Sequence, residues 1–239
     1  MSGTRSIGDT QSTTRTRSAI GAGSPICARV KICGLTTEAA VEAAVDAGAD
    51  WVGFVFFPAS PRFLTPARAA ALSASVPNGL PRVGLFVAPT EAAIAEVLAS
   101  VRLDVLQVNG AADPAALRAR FGIQVWRAIG VSAAADLPTA MGGADALLLD
   151  AKPPKDATRP GGNATAFDWA ILRDWHAPGP WLLAGGLTVQ NVAEALRVTG
   201  APAVDVSSGV ESAPGVKDPA LIRAFVAQVR FAGASATLG

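Results

Sequence analysis

Eight short apolar runs, each followed by a loop and then by an Ala- and Leu-rich stretch, organise this sequence of 239 residues. The runs span residues 29–32, 51–56, 82–86, 105–108, 124–129, 146–149, 181–184 and 204–206. Strands that alternate with helices form right-handed βαβ units, so the pattern predicts a parallel sheet. Nearly continuous apolar runs are typical of strands that are buried on both faces. Half of the residues are hydrophobic, which is enough for one large core.

The number of these units favours an α/β fold of one domain, the (β/α)8 or TIM barrel. We expect the barrel over residues 26–232, after a disordered tail rich in Ser, Thr, Gly and Arg at 1–25 and before a C-terminal tail at 233–239. The alternative is an open doubly wound sheet, which usually carries a glycine-rich fingerprint after its first strand. That place holds only Gly34 here, and the chain has no GxGxxG or GxxxxGK[ST] motif.

Charge and cysteine content limit the partners of such a barrel. Lys and Arg number 20 against 19 Asp and Glu, so neither a nucleic acid nor a membrane surface is an expected partner. No apolar run reaches the roughly 18 residues that a membrane span needs. Cys27 and Cys33 flank a strand, where a disulfide is awkward, and free thiols suit the cytoplasm. The single His176 has no Cys or His near it in sequence, so we expect no metal.

Two residues at the ends of predicted strands are candidates for acid–base chemistry, because reactive groups of these barrels lie at the carboxyl ends of strands. Cys33 follows the first run, and Asp150 follows the sixth. A thiol at this place is either a small core residue or, if a positive field lowers its pKa, a base. A carboxylate there is either a loop cap or an acid with a raised pKa. Position alone leaves both alternatives open for each residue.

Small residues follow the last two strands, which are neighbours in a closed barrel. Gly185 and Gly186 follow the seventh run, and Ser207, Ser208 and Gly209 follow the eighth. Small residues let backbone N–H groups approach an anion, and a phosphate site after strands seven and eight recurs in this fold. Glycines that only form tight turns are the alternative. Their presence in both loops favours a phosphate site.

Three further polar residues are candidates for the site or its surroundings. Two of them allow both a functional and a structural interpretation. Arg62, in a proline-rich loop after the second run, either binds a substrate carboxylate or lies solvated on the surface. Asp205, inside the eighth run, either accepts a hydrogen bond from a substrate hydroxyl or pairs with a neighbour. His176 precedes the seventh run, at the end of the barrel away from the expected site, so we assign it a structural or surface role.

Nine segments carry a resemblance to a known family over residues 30 to about 225. They are VKICGLT at 30–36, GADWVGFVF at 48–56, PR at 61–62, VGLFV at 83–87, LQVNG at 106–110, LDAK at 149–152, FDW at 167–169, AGGLTVQNV at 184–192 and VDVSSGVE at 204–211. In this order and spacing they resemble the phosphoribosylanthranilate isomerases of tryptophan biosynthesis. The match is specific because it rests on all nine segments together.

The resemblance implies an Amadori rearrangement of N-(5-phosphoribosyl)anthranilate to 1-(2-carboxyphenylamino)-1-deoxyribulose 5-phosphate, without a cofactor. It implies that Cys33 is the general base and Asp150 the general acid, and that Arg62 binds the anthranilate carboxylate. It also implies that the phosphate lies against the loops after strands seven and eight, at Gly185, Gly186, Ser208 and Gly209. The expected partner is this small molecule, and the expected assembly is a monomer or a homodimer.

Two places depart from the family pattern. Asn109 stands where members often have a histidine, and asparagine keeps a donor and an acceptor but cannot titrate. The segment 161–166 lacks a basic residue that members often have. These changes motivate a second hypothesis, a non-catalytic barrel that binds a phosphorylated sugar. A third, an isomerase of a histidine-pathway aminoaldose with two phosphates, is disfavoured because the loop at 88–90 has no glycine-rich anion cradle.

Overall fold

A computed structural model of the protein describes residues 28–152 and 166–235. The tail predicted at 1–25 and most of the altered segment at 161–166 lie outside the described residues, so these two predictions stay untested. Within the described residues the chain forms a closed barrel of eight strands, with helices between them. None of the helices in these two ranges is long and apolar enough to cross a membrane.

The barrel strands follow one another around the sheet in chain order, and every neighbouring pair is parallel. They are β1 (Arg29–Cys33), β2 (Trp51–Val55), β3 (Arg82–Val87), β4 (Val105–Asn109), β5 (Gln124–Val131), β6 (Ala146–Ala151), β7 (Trp181–Leu183) and β8 (Ala203–Val206). Each predicted run corresponds to one strand. Pairing of β1 with β8 closes the sheet, which confirms the TIM barrel and rules out the open doubly wound alternative.

The helices are α1 (Glu38–Asp46), α2 (Pro66–Ala74), α3 (Glu91–Leu98), α4 (Pro114–Phe121), α5 (Val192–Thr199) and α6 (Pro219–Ser235). The first three begin after threonines whose hydroxyls accept hydrogen bonds from free backbone N–H groups, and Asp113 does the same for α4. Among the described residues, the chain forms short 3-10 helices after β5 and β6, at Ala134–Asp136 and Trp169–Leu172. The last helix extends beyond residue 232, where the sequence predicts the barrel to end.

Two differences from the sequence prediction occur near the last strands. Thr188 as a capping residue predicts a helix that begins at Val189. In the structure α5 begins at Val192, because the Asn191 carboxamide oxygen accepts a hydrogen bond from the Thr188 N–H at 2.7 Å and holds residues 188–191 in a turn. After β8 the chain forms an antiparallel hairpin of β9 (Glu211–Ala213) and β10 (Val216–Lys217), which the apolar pattern did not indicate.

The barrel interior changes from apolar to polar along its axis. Side chains alternate between the two faces of each strand, so every second residue points inward. Near the amino-terminal ends the interior is apolar, and Trp51 and Trp126 meet there edge to face with ring centroids 5.2 Å apart. The second apolar layer lies between the barrel and its helices. Towards the carboxyl ends the same inward positions carry polar side chains, including buried Lys31, Gln107 and Asp205.

Candidate active site

A pocket opens at the carboxyl ends of the barrel strands. Eight of the nine residues predicted for the site line it: Cys33, Arg62, Asp150, Gly185, Gly186, Asp205, Ser207 and Ser208. The ninth, Gly209, does not line the pocket and packs against the backbone of Leu187. The sequence therefore located this pocket, because strand ends meet at one rim of a barrel.

Cys33, the last residue of β1, is a buried free thiol on the pocket wall. A Cβ atom on Gly53 of β2 would lie 3.1 Å from its Cα and 3.3 Å from its Sγ, so the glycine leaves room for the thiol. Burial raises the pKa of Cys33, and the nearby Lys31 ammonium acts in the opposite direction. Lys31 therefore supplies the positive field that a base at this place needs, but its effect on the pKa of Cys33 is smaller than the effect of burial.

Asp150, near the end of β6, also faces the pocket. Burial raises the pKa of its carboxyl to about 7, and the negative charge of Asp205 adds to this, against a hydrogen bond from the Ala151 N–H and the Lys31 charge. A Cβ atom on Gly185 would lie 3.0 Å from Asp150 Oδ1, so only glycine fits beside this carboxyl. The raised pKa favours the acid over the loop cap.

Asp205 pairs with a residue that the sequence analysis did not select. Lys31 of β1 lies opposite it in the register of β1 and β8, and the Lys31 Nζ donates a hydrogen bond to Asp205 Oδ1 at 2.7 Å. Both side chains are buried. Pairing with a neighbour is therefore observed, and Asp205 also faces the pocket. Its position two residues before Cys33, and so on the same face of the strand, could have identified Lys31 as a site residue.

The two small-residue loops form one surface. Gly185 and Gly186 adopt φ values of 86° and 61°, and the Asn191 Nδ2 donates to the Gly186 carbonyl oxygen at 2.9 Å. A Cβ atom on Gly209 would overlap the Leu187 carbonyl oxygen, so the loop after β8 packs directly on the loop after β7. Among the described residues, the N–H groups of Gly185 and Gly186 have no acceptor. Such free N–H groups are suited to an anion.

Arg62 is buried, so the alternative of a solvated surface arginine is wrong. Its Nε and Nη2 donate to the two carboxylate oxygens of Glu211, at 2.6 and 2.8 Å. The Lys217 Nζ donates to Glu211 Oε1 at 2.5 Å. Sequence reasoning missed Glu211 and Lys217, because both belong to the hairpin β9–β10 and no local motif indicates where that hairpin packs.

Two amides of β4 complete the polar wall. Gln107 and Asn109 line the pocket, and their carbonyl oxygens Oε1 and Oδ1 are buried without a hydrogen-bond partner among the described residues. His176 is exposed before β7, as expected. Within the two described ranges, no group of three or more His, Cys, Asp or Glu side chains is placed to hold a metal ion.

A closed barrel with an acid, a thiol and two small-residue loops at the carboxyl ends of its strands is a (β/α)8-barrel enzyme. The chain belongs to the N-(5'-phosphoribosyl)anthranilate isomerase family, whose model matches residues 30–228. This confirms the resemblance found in the sequence.

Known proteins of this family match nearly the whole described chain. The N-(5'-phosphoribosyl)anthranilate isomerase of Acidiphilium cryptum is 61% identical over 201 residues, which are 84% of this chain and 97% of that one. A crystal structure of monomers generated from the dimeric isomerase of Thermotoga maritima has a TM-score of 0.73 and 36% identity, covering 85% of this chain and 99% of that chain. An isomerase solved with reduced 1-(o-carboxyphenylamino)-1-deoxyribulose 5-phosphate has a TM-score of 0.73, 35% identity and the same coverage.

Proposed function

We propose that this barrel converts N-(5-phosphoribosyl)anthranilate to 1-(2-carboxyphenylamino)-1-deoxyribulose 5-phosphate, with Asp150 as general acid and Cys33 as general base. The observation that carries the assignment is a carboxyl with a pKa of about 7 and a thiol on the wall of one pocket. The related isomerase solved with the reduced product supports the choice of substrate.

Asp150 acts first, on the ring oxygen of the ribose. Opening the ring breaks the C1′–O4′ bond, and the oxygen needs a proton as it leaves. With a pKa of about 7, Asp150 is roughly half protonated at neutral pH and serves as a proton donor there. The product of this step is a Schiff base between C1′ and the anthranilate nitrogen.

Cys33 acts second, on the proton at C2′ of the Schiff base. Removal of this proton gives an enolamine, which becomes the ketone when C1′ gains a proton and the C2′ hydroxyl loses one. The sequence of steps is redox-neutral, so no cofactor is required. Because burial raises the pKa of Cys33, the thiolate is a minor form at neutral pH, and the Lys31 ammonium favours its formation. A thiolate of high pKa is also a stronger base once formed.

The remaining pocket residues match the two charged ends of the substrate. The free N–H groups of Gly185 and Gly186, with Ser207 and Ser208 beside them, suit the phosphate. Gly209 contributes by letting the two loops pack together rather than by contact. At the other side, Arg62 suits the anthranilate carboxylate.

Two polar groups of the wall suit the middle of the substrate. The Asp205 carboxylate faces the pocket and suits a ribose hydroxyl. Asn109 offers an amide in place of a titratable histidine, so the two proton transfers rest on Asp150 and Cys33.

Loss of anthranilate fluorescence during turnover of freshly prepared phosphoribosylanthranilate tests the function. Wild type should consume the substrate, and Cys33→Ser and Asp150→Asn should each reduce kcat by about 100-fold or more. Asp145→Asn is the matched control, because Asp145 lies at the opposite end of β6 and bonds to Val125 and Arg118 there.

Two outcomes would contradict the assignment. Near-wild-type turnover by either active-site variant would remove that residue from the mechanism. Absence of turnover by wild type, while it still binds the reduced product, would favour the non-catalytic barrel that the altered Asn109 position suggested.

We further infer a cytoplasmic location and a monomeric or homodimeric assembly. Support for the location comes from Cys33, a free thiol on the pocket wall that could be oxidised in an oxidising compartment. Support for a dimer comes only from the Thermotoga maritima relative, which is described as dimeric. Size-exclusion chromatography with light scattering distinguishes the two states.

A further inference from the structure

Three buried charged side chains form a cluster beside the pocket: Arg62 from the loop after β2, and Glu211 and Lys217 from the hairpin β9–β10. Arg62 and Glu211 are each 4% exposed at the side chain, and Lys217 is fully buried. Burying charges is costly unless they are paired and hydrogen-bonded. Even paired buried charges often add no net stability, so a cluster of three at the rim of a pocket indicates a role other than stability.

Glu211 leaves one edge of the Arg62 guanidinium open. A guanidinium can bind carboxylates in pairs of parallel hydrogen bonds, either along its side edge through Nε and Nη2 or along its end edge through Nη1 and Nη2. Glu211 occupies the side edge. Among the described residues, the Arg62 Nη1 has no hydrogen-bond partner, and Arg62 lines the pocket. The end edge is thus available to a second carboxylate.

The hairpin holds Glu211 in place from several sides. The Gly215 N–H donates to Glu211 Oε2 at 3.1 Å, and the Lys217 Nζ bridges Glu211 to the Ser207 carbonyl oxygen at 2.9 Å. Gly215 has φ 84°, and a Cβ atom there would lie 2.5 Å from the carbonyl oxygen of Pro61. The hairpin therefore closes tightly on the loop that carries Arg62, which limits the motion of the guanidinium.

The charges of the cluster do not cancel. Two cations face one anion, so the cluster keeps one positive charge, which matches one additional carboxylate. Without Lys217, the pair of Arg62 and Glu211 would be neutral, and a bound carboxylate would be an unbalanced buried charge. We propose that Glu211 and Lys217 are positioning residues: Glu211 orients Arg62 so that its open edge binds the substrate carboxylate, and Lys217 keeps the cluster cationic. This inference rests on the function proposed above.

Binding of two compounds by titration calorimetry tests the proposal without turnover. The first is reduced 1-(o-carboxyphenylamino)-1-deoxyribulose 5-phosphate, and the second is its phenylamino counterpart without the carboxylate. Wild type should bind the first at least about 10-fold more tightly. Glu211→Gln should reduce that preference to about 3-fold or less, while the Kd for the second compound stays within about 3-fold of wild type.

Glu194→Gln is the matched control, because Glu194 binds the Nε and Nη2 of Arg197 in the same two-bond geometry on the exposed surface of α5. It should keep the full preference. Lys217→Met should lower the preference by removing the net positive charge. If Glu211→Gln does not fold, as judged by circular dichroism, the double variant Glu211→Gln/Lys217→Met replaces it, since it keeps one positive charge and still lacks the anchor.

Three results would overturn the proposal: no preference in wild type, a full preference in the Glu211 variants, or an equal loss of binding for both compounds. The last result would mean that Glu211 only supports the fold. A wild type that shows the preference but does not turn over phosphoribosylanthranilate would refute the proposed reaction, and the role of the cluster would still be supported.

Discussion

At the residue scale, burial raises the pKa of both the acid and the thiol. The rise helps Asp150 to donate a proton and hinders Cys33 from forming its thiolate. Burial raises the pKa of Asp150 to about 7, which keeps a proton on the acid near neutrality. It also raises the pKa of Cys33, which makes the thiolate rarer. The buried Lys31 ammonium lowers both pKa values and so acts against both effects. One environment thus makes a good acid directly and a good base only with help from a neighbouring charge.

The raised pKa of Asp150 predicts how stability depends on pH. The native state holds the Asp150 proton up to about pH 7, whereas the unfolded chain releases it near pH 4. Between these values the native state binds more protons, so stability falls as pH rises and levels off above pH 7. Asp150→Asn removes this cost, so the variant should exceed wild type in free energy of unfolding at pH 8 by up to about 4 kcal/mol. Urea unfolding at pH 4 and pH 8 measures the difference, which should be small at pH 4.

Asp136→Asn provides a control of opposite sign. Hydrogen bonds from the Ser132 side chain and the Ser132 and Ala133 N–H groups hold the pKa of Asp136 below its ordinary value. Its contribution is therefore present above about pH 4 and lost in acid, so this variant should be less stable than wild type at pH 8. Equal stability of wild type and Asp150→Asn at pH 8 would contradict the raised pKa of Asp150.

The sequence could predict the places of Cys33 and Asp150 but not their surroundings. Both follow from the rule that strand ends meet at one rim. The partner of Asp205 does not, because Lys31 is 174 residues away and meets it only through the register of β1 and β8. The partner of Arg62 depends on the packing of the hairpin β9–β10, which has no periodic signal. Local patterns indicate where a side chain lies, and tertiary contacts determine its charge environment.

At the element scale, the loops after β7 and β8 are built on glycines that no other residue can replace without strain. The α-helices were predictable from their capping residues and Ala-rich periodicity, since such signals are local. The start of α5 at Val192 was not predictable, because it depends on one hydrogen bond, which the Asn191 side chain accepts from the Thr188 N–H. That bond shapes the loop after β7, so the deviation from the predicted helix lies beside the proposed phosphate site.

Gly185→Ala tests this loop, with Gly200→Ala as its matched control. Both residues have positive φ, 86° and 61°, so each alanine carries a backbone cost of about 1–2 kcal/mol. A Cβ atom on Gly200, at the end of α5, has nothing within 4 Å, whereas one on Gly185 lies 2.5 Å from the Ala151 nitrogen and 3.0 Å from Asp150 Oδ1.

We therefore expect Gly200→Ala to lose about 1–2 kcal/mol of stability and keep its kcat/KM. Gly185→Ala should lose clearly more stability and reduce kcat/KM by about 10-fold or more, since the acid must move. Urea unfolding and the fluorescence assay measure both quantities. Equal effects of the two substitutions on turnover would show that the close contact of Gly185 with Asp150 is unimportant.

At the scale of the whole molecule, closure of the barrel and assembly of the site depend on the same contact. The first and last strands meet along β1 and β8, and Lys31 and Asp205 pair across that seam inside the barrel. The count of eight units, together with the missing glycine-rich fingerprint after the first strand, favoured a closed barrel over an open sheet. The count of units did not indicate that Lys31 and Asp205 form an ion pair between β1 and β8.

Asp205→Asn should cost about 3–5 kcal/mol of stability, because it leaves the fully buried Lys31 charge without its partner. Lys31→Met/Asp205→Leu removes both charges, and apolar replacements of a buried pair are often neutral or stabilising. The double variant should therefore recover most of the loss in urea unfolding. Glu194→Gln, which breaks an exposed pair, should change stability by at most about 1 kcal/mol.

Turnover by the same variants separates the structural role of the pair from its catalytic role. If the seam needs the charges, the double variant stays as unstable as Asp205→Asn, and the expectation is wrong. If the charges serve the reaction, the double variant folds with near-wild-type stability but loses kcat by about 100-fold or more, since Cys33 loses the ammonium that favours its thiolate and the substrate loses the Asp205 carboxylate. A stable barrel without activity would show that the pair is retained for chemistry and not for closure.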